Sequence, residues 1–160
     1  MSNGILYDIF LSISLLLCVI CIIGVFLFTH KRTNEKYQSM ISIGELYIAV
    51  DVVDTEELRR KGLGGRHMLC DRCGMLFLFD EAKMQSFWMK DMFFDIDIIW
   101  IHDDHIVGIE RAVPHENKER VVVTSPSQVN RVLEVPSGTV ERYAIYSGQN
   151  VKYVNKIFEK

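Results

Sequence analysis

The stretch from Gly74 to Ile101, GMLFLFDEAKMQSFWMKDMFFDIDIIWI, constrains the fold more than any other part of the chain. It reads as two apolar strands, Gly74–Phe79 and Phe87–Ile101, joined by a short polar link. The second run exceeds the usual strand length of roughly 5–6 residues, so a bend is expected near Phe93–Asp95. The whole stretch holds five of the nine Phe, both Trp and four of the seven Met, so the core has to be built on it.

A second apolar run stands apart from the first. Ile9 to Thr29 is 21 residues without a charge. As an α-helix it would span about 30 Å, the hydrocarbon thickness of a bilayer. A cleaved leader would carry a basic start and a small-x-small exit. This run has neither and ends Val25-Phe26-Leu27-Phe28. The expected organisation is a tail (1–8), a single uncleaved transmembrane helix (9–29) and a polar linker (30–40). A β domain (41–155) and a short tail (156–160) complete it. All 18 Lys and Arg follow residue 30, against 20 of the 21 Asp and Glu. That balance excludes the basic excess a nucleic-acid partner needs. The bilayer is the one partner the sequence names. Lys31, Arg32 and Lys36 after the run place the domain in the cytoplasm by the positive-inside rule.

The domain itself reads as many short strands separated by turn signals. Ile41 to Val53 alternates, with Leu46, Ile48, Val50 and Val52 on one face. Asp54 is the expected N-cap of a short helix, Thr55 to Lys61, with Glu57 completing a capping box and Gly62 ending it. Gly62-Leu63-Gly64-Gly65-Arg66 lacks the spacing of a phosphate or dinucleotide loop and reads as tight turns. Strands are expected at Ile106–Val113, Val121–Val123, Val129–Val135 and Asn150–Val154. A turn falls at 102–105, a loop at 115–120 and one helical turn after Ser137-Gly138-Thr139. The fold class is therefore mainly β, a sandwich or barrel with one or two short helices.

Several residues carry candidate chemistry. Cys70 and Cys73 form a C-x-x-C that admits a local disulfide, two free thiols, or a redox pair lacking its βαβ context. His67 with Cys70 and Cys73 makes an incomplete metal set that needs a distant fourth ligand such as His102, His105 or His115. Asp95 and Asp97, two apart on a strand, are a carboxylate pair or simple edge polarity. No hydrolase or metalloprotease motif occurs, no catalytic residue is identified, and no cofactor is implied.

Taken in order, the motifs resemble the DUF192 (UPF0127) domain family. They are Arg59-Arg60-Lys61-Gly62-Leu63 with Arg66, Gly74-Met75-Leu76-Phe77-x-Phe79, Phe87-Trp88-Met89-Lys90 and Ile96-Asp97-Ile98. Leu133-Glu134-Val135 with Gly138, and a closing Gly148, complete the set. The chain departs from the family pattern at Gly64, Asp91-Met92 and Asp95, and Cys70 and Cys73 lie outside it. The resemblance implies a jelly-roll β-sandwich behind an N-terminal signal or anchor, with the domain outside the cytoplasm. This opposes the charge rule, and we give it precedence because three bases diluted by Glu35 are a weak determinant.

If Ser86 to Trp100 alternates as one strand, Lys90 shares a face with Trp88, Ile96, Ile98 and Trp100 and points into an apolar layer. It then needs a carboxylate, Asp97 or Glu134, or a bulge that re-aims it. The plainer reading is a structural ion pair or a stem lying over Trp88. The functional reading is a cluster of Arg66, Lys90, Asp97 and Glu134 that binds a polar or anionic ligand. The expected function is a binding or interaction module at the cell envelope. A small anchored enzyme working through the same four residues and a structural accessory protein are the alternatives.

Overall fold

The computed structural model describes residues 39–115 and 122–154. The expected anchor, the uncharged run 9–29, and most of the expected 115–120 loop lie outside the described residues. No helix among the described residues is long and apolar enough to cross a membrane.

The elements are β1 (Ser39–Ile43), β2 (Leu46–Val53), α1 (Glu56–Lys61), β3 (Cys73–Lys83), β4 (Ser86–Trp88) and β5 (Ile96–His102). They continue as β6 (His105–Val113), β7 (Val122–Thr124), β8 (Val129–Pro136), α2 (Thr139–Arg142) and β9 (Val151–Val154). Seven strands form one sheet in the order β6-β5-β8-β3-β2-β1-β9, and β4 pairs with β7 apart from it. The sheet curls until its edges meet. The amide of Ile106 donates to Gln149 O (3.0 Å) and that of Val151 to Asp104 O (2.7 Å), with a bridge between His105 and Asn150. Closure of this kind hides the unpaired edge groups that would otherwise template aggregation. The body is thus mainly β and sandwich-like with two short helices, as expected. The jelly-roll detail does not match, because β2 and β3 run parallel within this single sheet.

That parallel pair decides where the site lies. Parallel neighbours cannot be joined by a hairpin and need a crossover. The crossover 54–72 holds α1 and the glycine-rich loop, and its Leu63 is buried on one face of the sheet. The opposite, inner face packs Ile41, Ile48, Val50, Leu76, Ile99 and Leu133 against Val140 and Ile145 from around α2. The outer face packs Met75, Phe77, Ile96, Ile98, Trp100 and Val132 under the crossover and β4.

Four local expectations are corrected. The alternation of Ile41 to Val53 belongs to a hairpin, since Gly44 takes φ +58° and turns β1 onto β2. Ser39 and Met40, assigned to the linker, pair with Val50 and Ala49 in β1. Thr55 caps α1, its hydroxyl accepting the Leu58 amide at 3.3 Å, because it and not Asp54 stands three residues before that free N–H. Lastly, Phe87–Ile101 is not one strand. The chain leaves the strand after Trp88 and re-enters at Ile96, so alternation does not carry across. Phe87 consequently packs edge-on against Phe77 (4.8 Å) and Trp100 (5.7 Å), although continuous alternation puts Phe87 and Trp100 on opposite faces.

Candidate functional site

Register places Asp51 (β2), Met75 (β3), Glu134 (β8) and Ile98 (β5) in one row across the outer face. Gly74, beside Met75, lets β3 and β8 come close, because a Cβ there would stand 2.7 Å from Glu134 O. The crossover passes over this row. Its Arg66 pairs with Asp51, Nη1 to Oδ2 at 2.7 Å. Both atoms are buried, and the approach falls outside hydrogen-bond geometry, so the contact is an ion pair first. The Gly65 amide donates to Asp91 O (2.9 Å), tying the glycine-rich loop to the turn that follows β4.

Between α1, β4 and the sheet lies a pocket of about 270 Å³. Its wall includes four aromatic side chains, Phe77, Phe79, Phe87 and Trp88, and Glu134 belongs to it. Glu134 is only 5% exposed. Burial pushes its carboxyl up to about 8, with the Arg66 charge opposing that shift in part. It is therefore protonated at neutral pH. Among the described residues it makes no hydrogen bond, which leaves an O–H donor and acceptor capacity free. Ser86, the one hydroxyl of the wall, is bonded to Thr124 (3.0 Å), so no nucleophile and base stand paired there.

The structure divides the four predicted residues. Glu134 and Lys90 line the same pocket, and Arg66 acts on Glu134 from the crossover. Lys90 is not buried, because it sits in the turn after β4, with its Nζ 5.9 Å from the Trp88 ring. Asp97 is not in the cluster. It lies on the inner face, 1% exposed, where Oδ1 accepts the Ala112 amide and Oδ2 the Val140 amide, both at 2.9 Å. Asp95 and Asp97 also part. Asp95 contacts the Nδ1 of the His115 ring (2.7 Å) and accepts from its backbone N–H (2.9 Å), and the two together lower its pKa.

Cys70 and Cys73 are paired across a turn with Cα atoms 5.1 Å apart, a span that suits a disulfide. Asp71 between them is held by Tyr143 Oη (2.8 Å) and Arg142. His67 instead lies against Phe93, ring centroids 4.9 Å apart. No group of three or more His, Cys, Asp or Glu converges on a metal-sized position among the described residues. Sequence reasoning missed Asp51 as the partner of Arg66, and missed Arg59, Lys61 and Met92 in the pocket wall. Asp51 carried a signal, since it is the one charge in β2 and falls on the face opposite Ile48 and Val50.

The fold and pocket define a small curled-sheet domain with a crossover-roofed cavity. The chain belongs to the DUF192 family, described as an uncharacterized ACR, whose model matches residues 39–153. No curated protein matches it. Among solved structures it is similar to a Sinorhizobium meliloti 1021 protein described as a "putative transcription regulator", with 27% identity and a TM-score of 0.66, over 74% of this chain and 95% of that one. A Novosphingobium aromaticivorans DSM 12444 protein of unknown function shares the fold, with 24% identity and a TM-score of 0.67, over 75% of this chain and 89% of that one.

Proposed function

We propose that the protein is a membrane-tethered binding module of the cell envelope whose pocket over Glu134 takes a small polar ligand. One observation carries this reading: a carboxyl group, buried and without a hydrogen bond among the described residues, forms part of an otherwise mainly apolar cavity. Its oxygens are not among the described side-chain atoms that are both fully buried and unmet, so they reach the pocket, where a ligand can meet them. The tether is the uncharged run 9–29, and the domain is assigned to the outer side of the membrane. The regulator description of the Sinorhizobium protein is not carried over, because 18 basic residues against 20 acidic ones after residue 30 give no electrostatic hold on DNA.

The test is mass spectrometry of small molecules released from the full chain extracted in detergent, wild type beside Glu134→Leu. A compound in near-stoichiometric amount in the wild type, and depleted in a folded Glu134→Leu protein, is the expected result. Empty preparations of both, with Glu134→Leu the more stable, would make Glu134 a packing residue and end the proposal. Sidedness is read separately, by labelling reduced Cys70 in intact cells with a membrane-impermeant thiol reagent. Labelling only after permeabilisation would place the domain inside.

A further inference from the structure

The pocket wall holds four cations, Arg59, Arg60, Lys61 and Lys90, and one acid, Glu134. Arg60 pairs with Glu56 at 2.7 Å, but both side chains are more than two-thirds exposed, and such pairs hold weakly. Arg59 donates to the main-chain oxygens of Asp54 (2.6 Å) and Leu78 (2.7 Å) and lies 5.0 Å over the Phe79 ring. Arg59, Lys61 and Lys90 meet no carboxylate among the described residues. A second depression of about 510 Å³ next to the pocket shares Lys61, Trp88 and Lys90 and adds Asp91 and Phe93.

The helix dipole explains basic residues at the end of α1, but not Lys90, which comes from a separate segment. The two segments are pressed together. A Cβ on Gly64 would stand 3.0 Å from Lys61 O and 3.4 Å from Lys90 O. Like charges are thus gathered at one mouth. The same wall carries the rings of Phe77, Phe79, Phe87 and Trp88 beside Leu63 and Met92, an apolar surface that suits a ring. At about 270 Å³ the space is small for an organic ligand and fits a single ring rather than a nucleotide or a lipid chain.

We infer that the pocket takes a small planar organic anion, a single-ring carboxylate or phosphate monoester. Its charged group meets Lys61 and Lys90 at the mouth, its ring lies against Phe79 and Phe87, and an uncharged polar substituent meets Glu134. This inference rests on the binding reading above and adds the ligand class to it.

Calorimetric titration of the full chain in non-ionic detergent tests the class with para-hydroxybenzoate, phenyl phosphate, para-hydroxybenzamide and para-hydroxybenzylamine. At least one anion is expected to bind about tenfold more tightly than the neutral amide, with the amine weakest. The double variant Lys61→Ala/Lys90→Ala should lose that preference and still bind the amide. Stronger binding by the carboxylate or by the phosphate monoester says which anion the site favours. An amide that binds as well as both anions overturns the assignment, as does a preference that survives in the double variant or no binding by either anion. Whether the binding reading fails as well is decided by the compound released from wild type and from Glu134→Leu, so the two failures are separable.

Discussion

Two buried acids stand on neighbouring strands of the same sheet, and they differ in everything but burial. Asp97 faces inward and both its oxygens accept backbone amides, from Ala112 and Val140. Glu134 faces outward under the crossover and accepts nothing from the described residues, in an environment that keeps it protonated up to about 8. An acid whose two oxygens are met by backbone amides is a structural part, whereas an acid that opens onto a cavity with no partner among the described residues is a contact offered to a ligand. Asp97 fixes the fold by substituting for a cap that α2 lacks. Gly138 at its N-cap has no side chain to offer, so Asp97 reaches across from β5 to the Val140 amide. Its second bond holds Ala112, at φ +49°, where β6 bulges opposite β5.

The largest effect is therefore expected on the inner face. Asp97→Ala leaves the buried Val140 amide and the part-buried Ala112 amide unmet and should cost about 2–4 kcal/mol in urea unfolding, with Asp97→Asn intermediate because its amide oxygen can still accept. A loss below about 1 kcal/mol for the alanine variant would break the contrast at its structural end. Gly74→Ala tests the same close packing. Its new methyl would stand 2.7 Å from Glu134 O and 3.1 Å from Leu133 Cδ1, where backbone cannot yield, and a cost of about 2–3 kcal/mol is expected.

Much of the inner face is readable from alternation. Ile48, Val50, Ile99, Leu133 and Val135 fall where period two puts them, because a strand with one buried face admits no slip of register. The pocket is not readable in the same way. Glu134 stands out only as a charge between Leu133 and Val135, and nothing local tells a satisfied buried acid from an unsatisfied one. That distinction depends on what the crossover brings over β8, and Arg66 reaches it from residues far away in sequence. Lys90 is misplaced by sequence for a related reason. Alternation extends on paper through 89–95, a segment whose apolar residues resemble a strand but which turns, with Asp91 at φ +58°. A non-glycine residue at positive φ leaves little trace in sequence.

Glu134→Gln sharpens the outer half of the comparison through pH. In the unfolded chain this acid releases its proton near 4.5, and in the folded protein only near 8. Between those values the folded state binds the extra proton, so wild-type stability falls as pH rises through that window and levels off above it. Arg66, Asp51 and the pocket cations Arg59, Arg60, Lys61 and Lys90 are the charged groups around it, and none is altered by the substitution. The advantage of Glu134→Gln over wild type should therefore grow by about 3–4 kcal/mol between about pH 5 and pH 8. Parallel stability profiles for the two proteins would show that Glu134 is ionised in the fold and that the contrast with Asp97 is false.

The smallest structural effect belongs to the residue that continuous alternation would bury. Lys90 is exposed, and its ammonium stands 5.9 Å from the Trp88 ring, a distance at which an exposed cation contributes little. Lys90→Ala should shift unfolding free energy by less than about 0.5 kcal/mol. Any deficit it shows has to come from ligand contact, so binding of whatever compound the wild type retains should weaken while the melting temperature stays put. The reverse pattern, a destabilised protein that binds normally, would return Lys90 to the structural pair that is its plainer reading in the sequence. It would also leave Glu134 facing a mouth with only the bases of α1 to attract a charge.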